Sequence, residues 1–287
     1  MTHTERARQP WWMRWLRLVG RLAIYLILLV GAVTMLVPFL WMLSSALKPE
    51  AQVFVLPPRL IPNPVVWENL RAAWHAIPMA RYYLNSIAIA VAAAAGQLLT
   101  SVLAAYVFAR LEFPAKNTLF LVFLATMMIP SQVTMIPLFL ILRNLKWIDT
   151  FQGVIVPAWF HPFGIFLLRQ FFLSLPRELE DAARIDGCSR LGILYRIILP
   201  LAKPVLSTLA VFIFMFEWNN FLWPLIVLNT PAKYTLPIGL AMLRAEIDTE
   251  WSILMAATLI STLPVILIFL VAQKQIVKSV TMTGLKM

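Results

Sequence analysis

The chain has 287 residues, of which 61% are hydrophobic and 13% are charged, and its mean hydropathy is +0.81. Soluble domains contain about 45–50% apolar and about 25% charged residues, so this composition excludes an ordinary soluble protein and predicts a multi-pass membrane protein. The net charge of +11 would suit a protein that binds nucleic acid, but no basic stripe with interleaved aromatic residues supports such a partner. The single cysteine, Cys188, excludes an internal disulfide.

Six long stretches that are almost free of formal charge predict the membrane spans. Each contains 19 to 29 residues, and about 20 apolar residues are enough for one helix to cross the hydrocarbon layer. Helices are required because lipid cannot satisfy open backbone groups. The predicted spans are 22–46, 83–109, 118–142, 150–168, 205–229 and 252–273. The sequence therefore predicts an all-α membrane protein with a six-span domain over 22–277, an N-terminal segment 1–21 and a tail 278–287.

Lysine and arginine are distributed unevenly between the two sides of these spans. The termini and the loops near 110–117 and 169–203 hold 16 of the 24. Because cytoplasmic segments carry an excess of these residues, both termini and the 169–203 loop are expected in the cytoplasm. The positive charge is then explained by cytoplasmic segments that face anionic lipid.

The loop 174–200 has the most specific pattern in the chain. Three acids near its start, among them Glu180, suit the positive end of a helix dipole, and Glu180 and Arg184 have the favourable i,i+4 spacing for an ion pair. Gly187 is expected to end this helix in a left-handed conformation. The loop is thus predicted to begin with one short helix.

A second helix is predicted directly after this glycine. Ser189 is a suitable N-cap, and Pro200 is expected to end the helix. Periodicity alone leaves two interpretations of the resulting hairpin. In the first, the hairpin lies on the membrane surface. In the second, the small pair Ala182 and Ala183 enters a groove on another protein, where small side chains permit close approach.

The spacing in this loop resembles the cytoplasmic signature of permeases from binding-protein-dependent ABC importers. That signature is Glu-Ala-Ala, three residues, Gly, nine residues, Ile, one residue and Leu-Pro. The matching residues are Asp181, Ala182, Ala183, Gly187, Ile197, Leu199 and Pro200. Asp181 departs from the usual Glu: it keeps the charge but has a side chain that is shorter by one methylene. Glu180, the preceding residue, is placed to compensate.

Four further segments are similar to the carbohydrate, maltose-type branch of that family: 38–48, 105–110, 128–137 and 218–225. The resemblance implies the type I importer permease fold, with a coupling-helix hairpin between spans four and five. It implies a bacterial or archaeal plasma membrane, a second permease, two ATP-binding subunits, an extracytoplasmic solute receptor and a sugar substrate. It also implies that the ATPase subunits dock on seven residues: Glu180, Asp181, Ala182, Ala183, Asp186, Gly187 and Pro200.

This chain is not expected to be an enzyme or to hold a cofactor. Its scattered glycines form no Gly-x-x-x-x-Gly-Lys-Ser/Thr loop, so ATP and magnesium are expected on the partner subunits. No residue pattern predicts a metal site or a hydrolytic catalytic set.

Glu217 is the only formal charge inside a predicted span. An intramembrane carboxylate is costly and should face the bundle, a partner or water. Glu217 and Asn220 are spaced i,i+3 and are expected to share one helix face. Together with Asn219 and Trp218 they are the candidate substrate pathway, since amides and aromatic faces suit a sugar; packing within the bundle is the alternative for each.

Other transport classes remain open from the sequence alone. A glycerol-phosphate or polyol importer permease is one alternative, and a proton-coupled secondary transporter that uses Glu217 is a more distant one. The predicted spans contain no lysine or arginine, which favours a neutral sugar over a phosphorylated solute.

Overall fold

The computed structural model describes residues 11–245 and 250–284, so the predicted segments 1–21 and 278–287 are covered only in part. Within these ranges the chain is helical and contains no strand. The helices are α1 Trp11–Ala46, α2 Glu68–Ala76, α3 Met79–Arg110, α4 Lys116–Ala125, α5 Ser131–Asn144, α6 Phe151–Ala158, α7 Pro162–Ser174, α8 Glu178–Ile185, α9 Arg190–Ile193, α10 Leu199–Trp218, α11 Leu222–Val227, α12 Leu236–Ala245 and α13 Trp251–Gly284. One π-helical turn, Leu194–Ile198, joins α9 to α10.

Among the described residues, five stretches are long and apolar enough to cross a membrane: Leu18–Ala46, Met79–Arg110, Phe151–Ser174, Arg190–Trp218 and Trp251–Lys274. The predicted span 118–142 is not one straight helix. It is divided at Pro130, where its two halves meet at 100°. Proline has no amide hydrogen and favours an extended residue before it, and Ile129 has that conformation. The pair counts as a sixth span if both halves belong to one crossing.

The fifth span lies earlier in the chain than predicted. The prediction was 205–229, but the helix begins at Arg190 and ends at Trp218. The prediction that Pro200 ends a separate helix is therefore wrong. In the π turn the Leu199 N–H bonds to the Leu194 carbonyl, five residues back, and such a widened turn accommodates proline within a continuous helix. The second arm of the predicted hairpin is thus the start of the fifth span.

The chain divides into two compact units. The first comprises the described residues up to Ala72 together with Glu250–Leu259. In this unit the carboxylate of Glu50 accepts hydrogen bonds from the backbone N–H groups of Trp251 and Ser252, at 3.0 and 2.8 Å. It therefore caps the N-terminus of α13, where a negative charge is favourable.

The second unit is built around α3, which packs against α7 and α10. Alanines on α3, among them Ala105 and Ala109, are fully buried in the shared core. Small residues allow membrane helices to approach closely. The same core includes Ala183 of α8 and Ile193 of α9, so the loop between the fourth and fifth spans is part of the packed body of this unit.

Candidate functional site

The hairpin 174–200 has the predicted local chemistry at its turn. Gly187 has φ +79°, which confirms the left-handed helix end. The Cys188 N–H bonds to the Ala183 carbonyl at 2.9 Å and so closes the end of α8. Ser189 is confirmed as a cap, because its hydroxyl accepts the Gly192 N–H at 3.2 Å.

The acidic residues of α8 pair differently from the prediction. Glu180 Oε1 lies 2.6 Å from Arg110 Nε at the end of α3, and the two side chains are only 5% and 3% exposed. The expected pair of Glu180 with Arg184 is not formed, since Arg184 bonds to Asp181 at 3.3 Å. The reason is the direction of each residue: Glu180 faces the body of the unit, and Arg184 faces outward.

Two further side chains hold the hairpin to the body. Arg110 also donates to the Leu175 carbonyl at 3.0 Å, directly before α8. Tyr106, one turn earlier on α3, donates from its hydroxyl to the Arg190 carbonyl at 3.2 Å. The last turn of α3 thus bonds to the segment before α8, to α8 itself and to the start of α9.

The structure divides the seven predicted docking residues into two groups. Glu180 and Ala183 are buried against the body, and the others are exposed: Asp181, Ala182, Asp186, Gly187 and Pro200. Ile185, which the sequence reasoning missed, is 87% exposed. Ile185 lies between Arg184 and Asp186, which are also exposed.

The fourth span is interrupted between α6 and α7, at residues 159–161. The Trp159 indole N–H donates to the Ala92 carbonyl at 3.1 Å, and the Thr100 hydroxyl donates to the Trp159 carbonyl. A Cβ atom on Gly96 would overlap the Trp159 ring. The interruption is therefore fixed against the middle of α3 by Trp159, with His161 capping α7 through a bond to the Phe163 N–H at 3.3 Å.

The fifth span ends at a second break, residues 219–221, which contains Asn219 and Asn220; Glu217 and Trp218 form the last turn of α10 directly before it. The Asn220 amide donates to Glu217 at 3.1 Å, so these two residues are brought together as predicted. Asn219 is directed elsewhere and bonds to the Met215 carbonyl at 2.7 Å. Trp218 is buried; its ring stacks on Phe214 with centroids 5.8 Å apart and does not offer a free face.

The two interruptions are neighbours, since the rings of His161 and Phe216 lie 6.4 Å apart. Around them are aromatic and amide side chains that are exposed: Phe160, His161, Phe216, Asn219 and Phe221. Sequence reasoning missed Phe160 and Phe216; the available signal was the prolines near the two breaks, Pro157, Pro162 and Pro224, because proline interrupts helices. This group is named the break rim below.

At the other end of α6 and α11, a clasp joins the loops that flank them. Asp149 accepts hydrogen bonds from the Thr230 hydroxyl at 2.6 Å, the Lys233 ammonium at 2.8 Å and the Asn229 N–H at 3.0 Å. The hydrogen bond from Lys233, followed by those from Thr230, holds the pKa of the Asp149 carboxyl well below its usual range. The Trp223 indole N–H donates to the Gly153 carbonyl at 3.3 Å, so α6 and α11 form one paired element.

Comparison with known proteins identifies the family. Residues 97–282 match the model of the binding-protein-dependent transport system inner membrane component. The chain is 34% identical over 271 residues to the arabinooligosaccharides transport system permease protein AraQ of Bacillus subtilis (strain 168), which covers 93% of this chain and 96% of that protein. It is 32% identical over 262 residues to the sn-glycerol-3-phosphate transport system permease protein UgpE of Yersinia pestis bv. Antiqua (strain Antiqua), with 88% and 93% covered.

Solved structures agree with the family. A chain from a bacterial ABC transporter involved in the import of the acidic polysaccharide alginate has a TM-score of 0.80 and 25% identity, and covers 90% of this chain and 96% of its own. A chain from the alginate transporter in complex with its oligosaccharide-bound periplasmic protein has a TM-score of 0.66 at 13% identity and shows the same fold. The chain therefore belongs to the inner membrane components of binding-protein-dependent transport systems, the permease subunits of ABC importers.

Proposed function

We propose that this chain, paired with a second permease, imports a neutral sugar or short oligosaccharide, and that two ATP-binding subunits drive it through the exposed face of α8. The observation that supports this function best is the division of the docking residues. Asp181, Ala182 and Ile185 are exposed, while Glu180 and Ala183 fix α8 to the body. A helix that is firmly held on one side and bare on the other suits the transfer of movement from another subunit.

The docking face is tested by enlarging its small exposed residue. Ala182→Arg should leave the chain folded, because residue 182 is exposed, but should prevent the ATP-binding subunits from co-purifying. The matched control is Ala232→Arg, which places the same side chain at an exposed site on another loop. Normal recovery of the ATP-binding subunits with Ala182→Arg would reject this docking face.

The proposed solute follows from the relatives and from the charges near the break rim. The similar proteins are named for arabinooligosaccharides, for glycerol 3-phosphate and for alginate. The predicted spans contain no lysine or arginine, but the candidate span Phe151–Ser174 extends beyond residue 168 and includes Arg169. Arg169, however, donates to the Phe108 carbonyl at 3.1 Å and lies over the Phe120 ring.

No described contact of Glu217 or Asn220 involves a lysine or arginine. A phosphorylated solute requires compensating positive charge, whereas aromatic and amide groups such as those of the break rim suit sugar rings and hydroxyls. These groups support a neutral sugar. In vesicles containing the whole transporter, an arabinooligosaccharide should then compete for uptake and glycerol 3-phosphate should not; the reverse result would favour the phosphate-importing alternative.

Glu217 and Asn220 are proposed to lie on the solute pathway together with the break rim, and Trp218 to pack behind them. Glu217→Gln keeps the shape of the side chain and should lower uptake while the complex still assembles. Phe214→Leu, a buried change on the same helix, serves as the control for packing. Uptake at the parent level in Glu217→Gln would remove Glu217 from the pathway.

Co-purification decides between the transport classes. When the tagged chain is extracted gently from its membrane, a second permease and an ATP-binding subunit should purify with it. As a separate expectation, both termini should face the cytoplasm. Transport that requires a proton gradient and no nucleotide would instead support a secondary transporter that uses Glu217.

A further inference from the structure

The C-terminal end of α3 contacts the hairpin 174–200 at three points. Arg110 contacts Glu180 and the Leu175 carbonyl, and Tyr106 contacts the Arg190 carbonyl. Tyr106 and Arg110 are one turn apart and lie on one face of the helix. A displacement of α8 would therefore act on α3 directly, through an ion pair whose two side chains are 3% and 5% exposed.

The opposite end of α3 is bonded just as closely to the segment 230–239. The Asn85 amide donates to the carbonyls of Ala232 and Tyr234, at 3.0 and 2.9 Å. The Ser86 hydroxyl accepts the Leu236 N–H at 2.8 Å. Gly239 packs so closely on the Tyr82 ring that a Cβ atom there would overlap it.

Between these two ends α3 has no interruption. It has 32 residues and no proline, which corresponds to about 48 Å at 1.5 Å per residue. Two other spans of the second unit are interrupted, α4 and α5 at Pro130 and α6 and α7 at residues 159–161. The fifth span is continuous, but it contains the π turn Leu194–Ile198 and ends at Trp218, before the segment 230–239. An unbroken helix transmits an axial or rotational displacement, whereas a break absorbs it.

We propose that α3 is the mechanical link that carries movement of the coupling hairpin to the segment 230–239 at the far end of the unit. Arg110 and Glu180 are the positioning residues at one end, and Asn85 and Ser86 are those at the other. This inference rests on the proposed function, since the movement begins with nucleotide-driven displacement of α8. It adds the route by which that displacement reaches the opposite end.

The test follows the far end directly while nucleotide is supplied to the near end. Ala232→Cys, in a Cys188→Ala background, provides one exposed thiol for an environment-sensitive fluorophore, and the backbone carbonyl of residue 232 is retained. The complete transporter is reconstituted in phospholipid vesicles, and the fluorescence change on addition of Mg-ATP is recorded. The parent protein should respond.

Glu180→Gln should reduce this response by about fivefold or more, the range of ordinary site-to-site coupling, while the ATP-binding subunits remain bound. Glu178→Gln is the matched control, because it is the same change at an exposed site on the same helix. Where Glu180→Gln does not assemble, Tyr106→Phe replaces it, since it removes one hydroxyl and retains the packed ring.

The far end is tested in the same way with Asn85→Ala. If α3 is the link, Asn85→Ala combined with Glu180→Gln should be no worse than the more severe single variant, because both act on one route. A full response in Glu180→Gln and Tyr106→Phe, or additive losses in the double variant, would overturn the link. No response in the parent complex would instead contradict the proposed function.

Discussion

Asp149 is the residue on which the loop clasp depends. Its carboxylate receives hydrogen bonds from a lysine, a hydroxyl and backbone N–H groups. Asp149→Asn should lower the free energy of unfolding by about 1–2 kcal/mol. This is at the low end of the range for hydrogen bonds to charged groups, because Lys233 is partly exposed to water. Thermal unfolding of the purified protein measures this loss. Glu68→Gln, which removes a surface pair that is mostly exposed, should have almost no effect.

The same residue predicts a pH dependence. The pKa of Asp149 is lowered in the folded protein, so its stabilising contribution is present above the pKa of the unfolded chain, whose ordinary value is 3.8. The contribution is lost as the pH falls from there through the lower folded pKa. Parent and Asp149→Asn should therefore differ in stability at neutral pH and converge in acid. An equal gap at both pH values would contradict this account.

Gly96 provides a second test at the scale of single residues. Gly96→Ala places a methyl group where the Trp159 indole lies, and overpacking of this kind costs about 1–3 kcal/mol. Gly31→Ala is the matched control, because no atom lies within 4 Å of the Cβ it would add. The melting temperature in detergent should fall for Gly96→Ala and not for Gly31→Ala; equal values would show that Trp159 moves aside without cost.

At the scale of single residues, the sequence predicted those features that depend on neighbouring residues in the chain. Gly187 and Ser189 were predicted correctly because a left-handed turn and an N-cap depend on a few adjacent residues. The partner of Glu180 was not, because Arg110 is 70 positions earlier and only the packed fold brings it close.

At the scale of elements, α13 depends on a cap from a distant part of the sequence. Glu50 satisfies the N–H groups of Trp251 and Ser252. Glu50→Ala should speed hydrogen exchange in the first turn of α13 by about tenfold, which corresponds to a cap worth about 1 kcal/mol or slightly more. Exchange mass spectrometry of a peptide over 250–258 measures it. Unchanged exchange there would mean that water replaces the carboxylate, and Glu178→Ala provides the unrelated control.

Element ends were the least predictable part of the fold. Charge-free stretches located the long helices, but they could not show that a π turn carries the fifth span past Pro200 or that the helix already ends at Trp218. The first depends on how the backbone responds to proline, which is accommodated by a π turn at Pro200 but accompanies a 100° bend at Pro130.

At the scale of the second unit, the contacts indicate how α4 and α5 run. Arg110 lies at the end where the hairpin is bonded, and Asp149 lies at the end of the clasp with Lys233. The candidate span Phe151–Ser174 runs from one of these ends to the other. The chain between Arg110 and Asp149 must therefore cover the same distance, so we expect α4 and α5 together to form the sixth crossing.

This expectation is tested by thiol labelling in a Cys188→Ala background. Glu112→Cys should react with a membrane-impermeant maleimide only from the cytoplasmic side, and Leu145→Cys only from the outside; both sites are exposed. Glu178→Cys and Ala232→Cys are references for the two sides. Reaction of Glu112→Cys and Leu145→Cys from the same side would make the pair a re-entrant loop and leave five crossings.

The first helix has a consequence for how the protein is made. Residues 18–40 of this helix are all exposed. Lipid solvates such a surface as well as protein does, so this helix can enter the bilayer during synthesis before its later partners exist. Selection on this stretch should then act on insertion of the helix into the bilayer rather than on the shapes of its side chains. Aliphatic side chains should be interchangeable there, whereas an arginine at the centre should make insertion less favourable by about 2.5–3.5 kcal/mol.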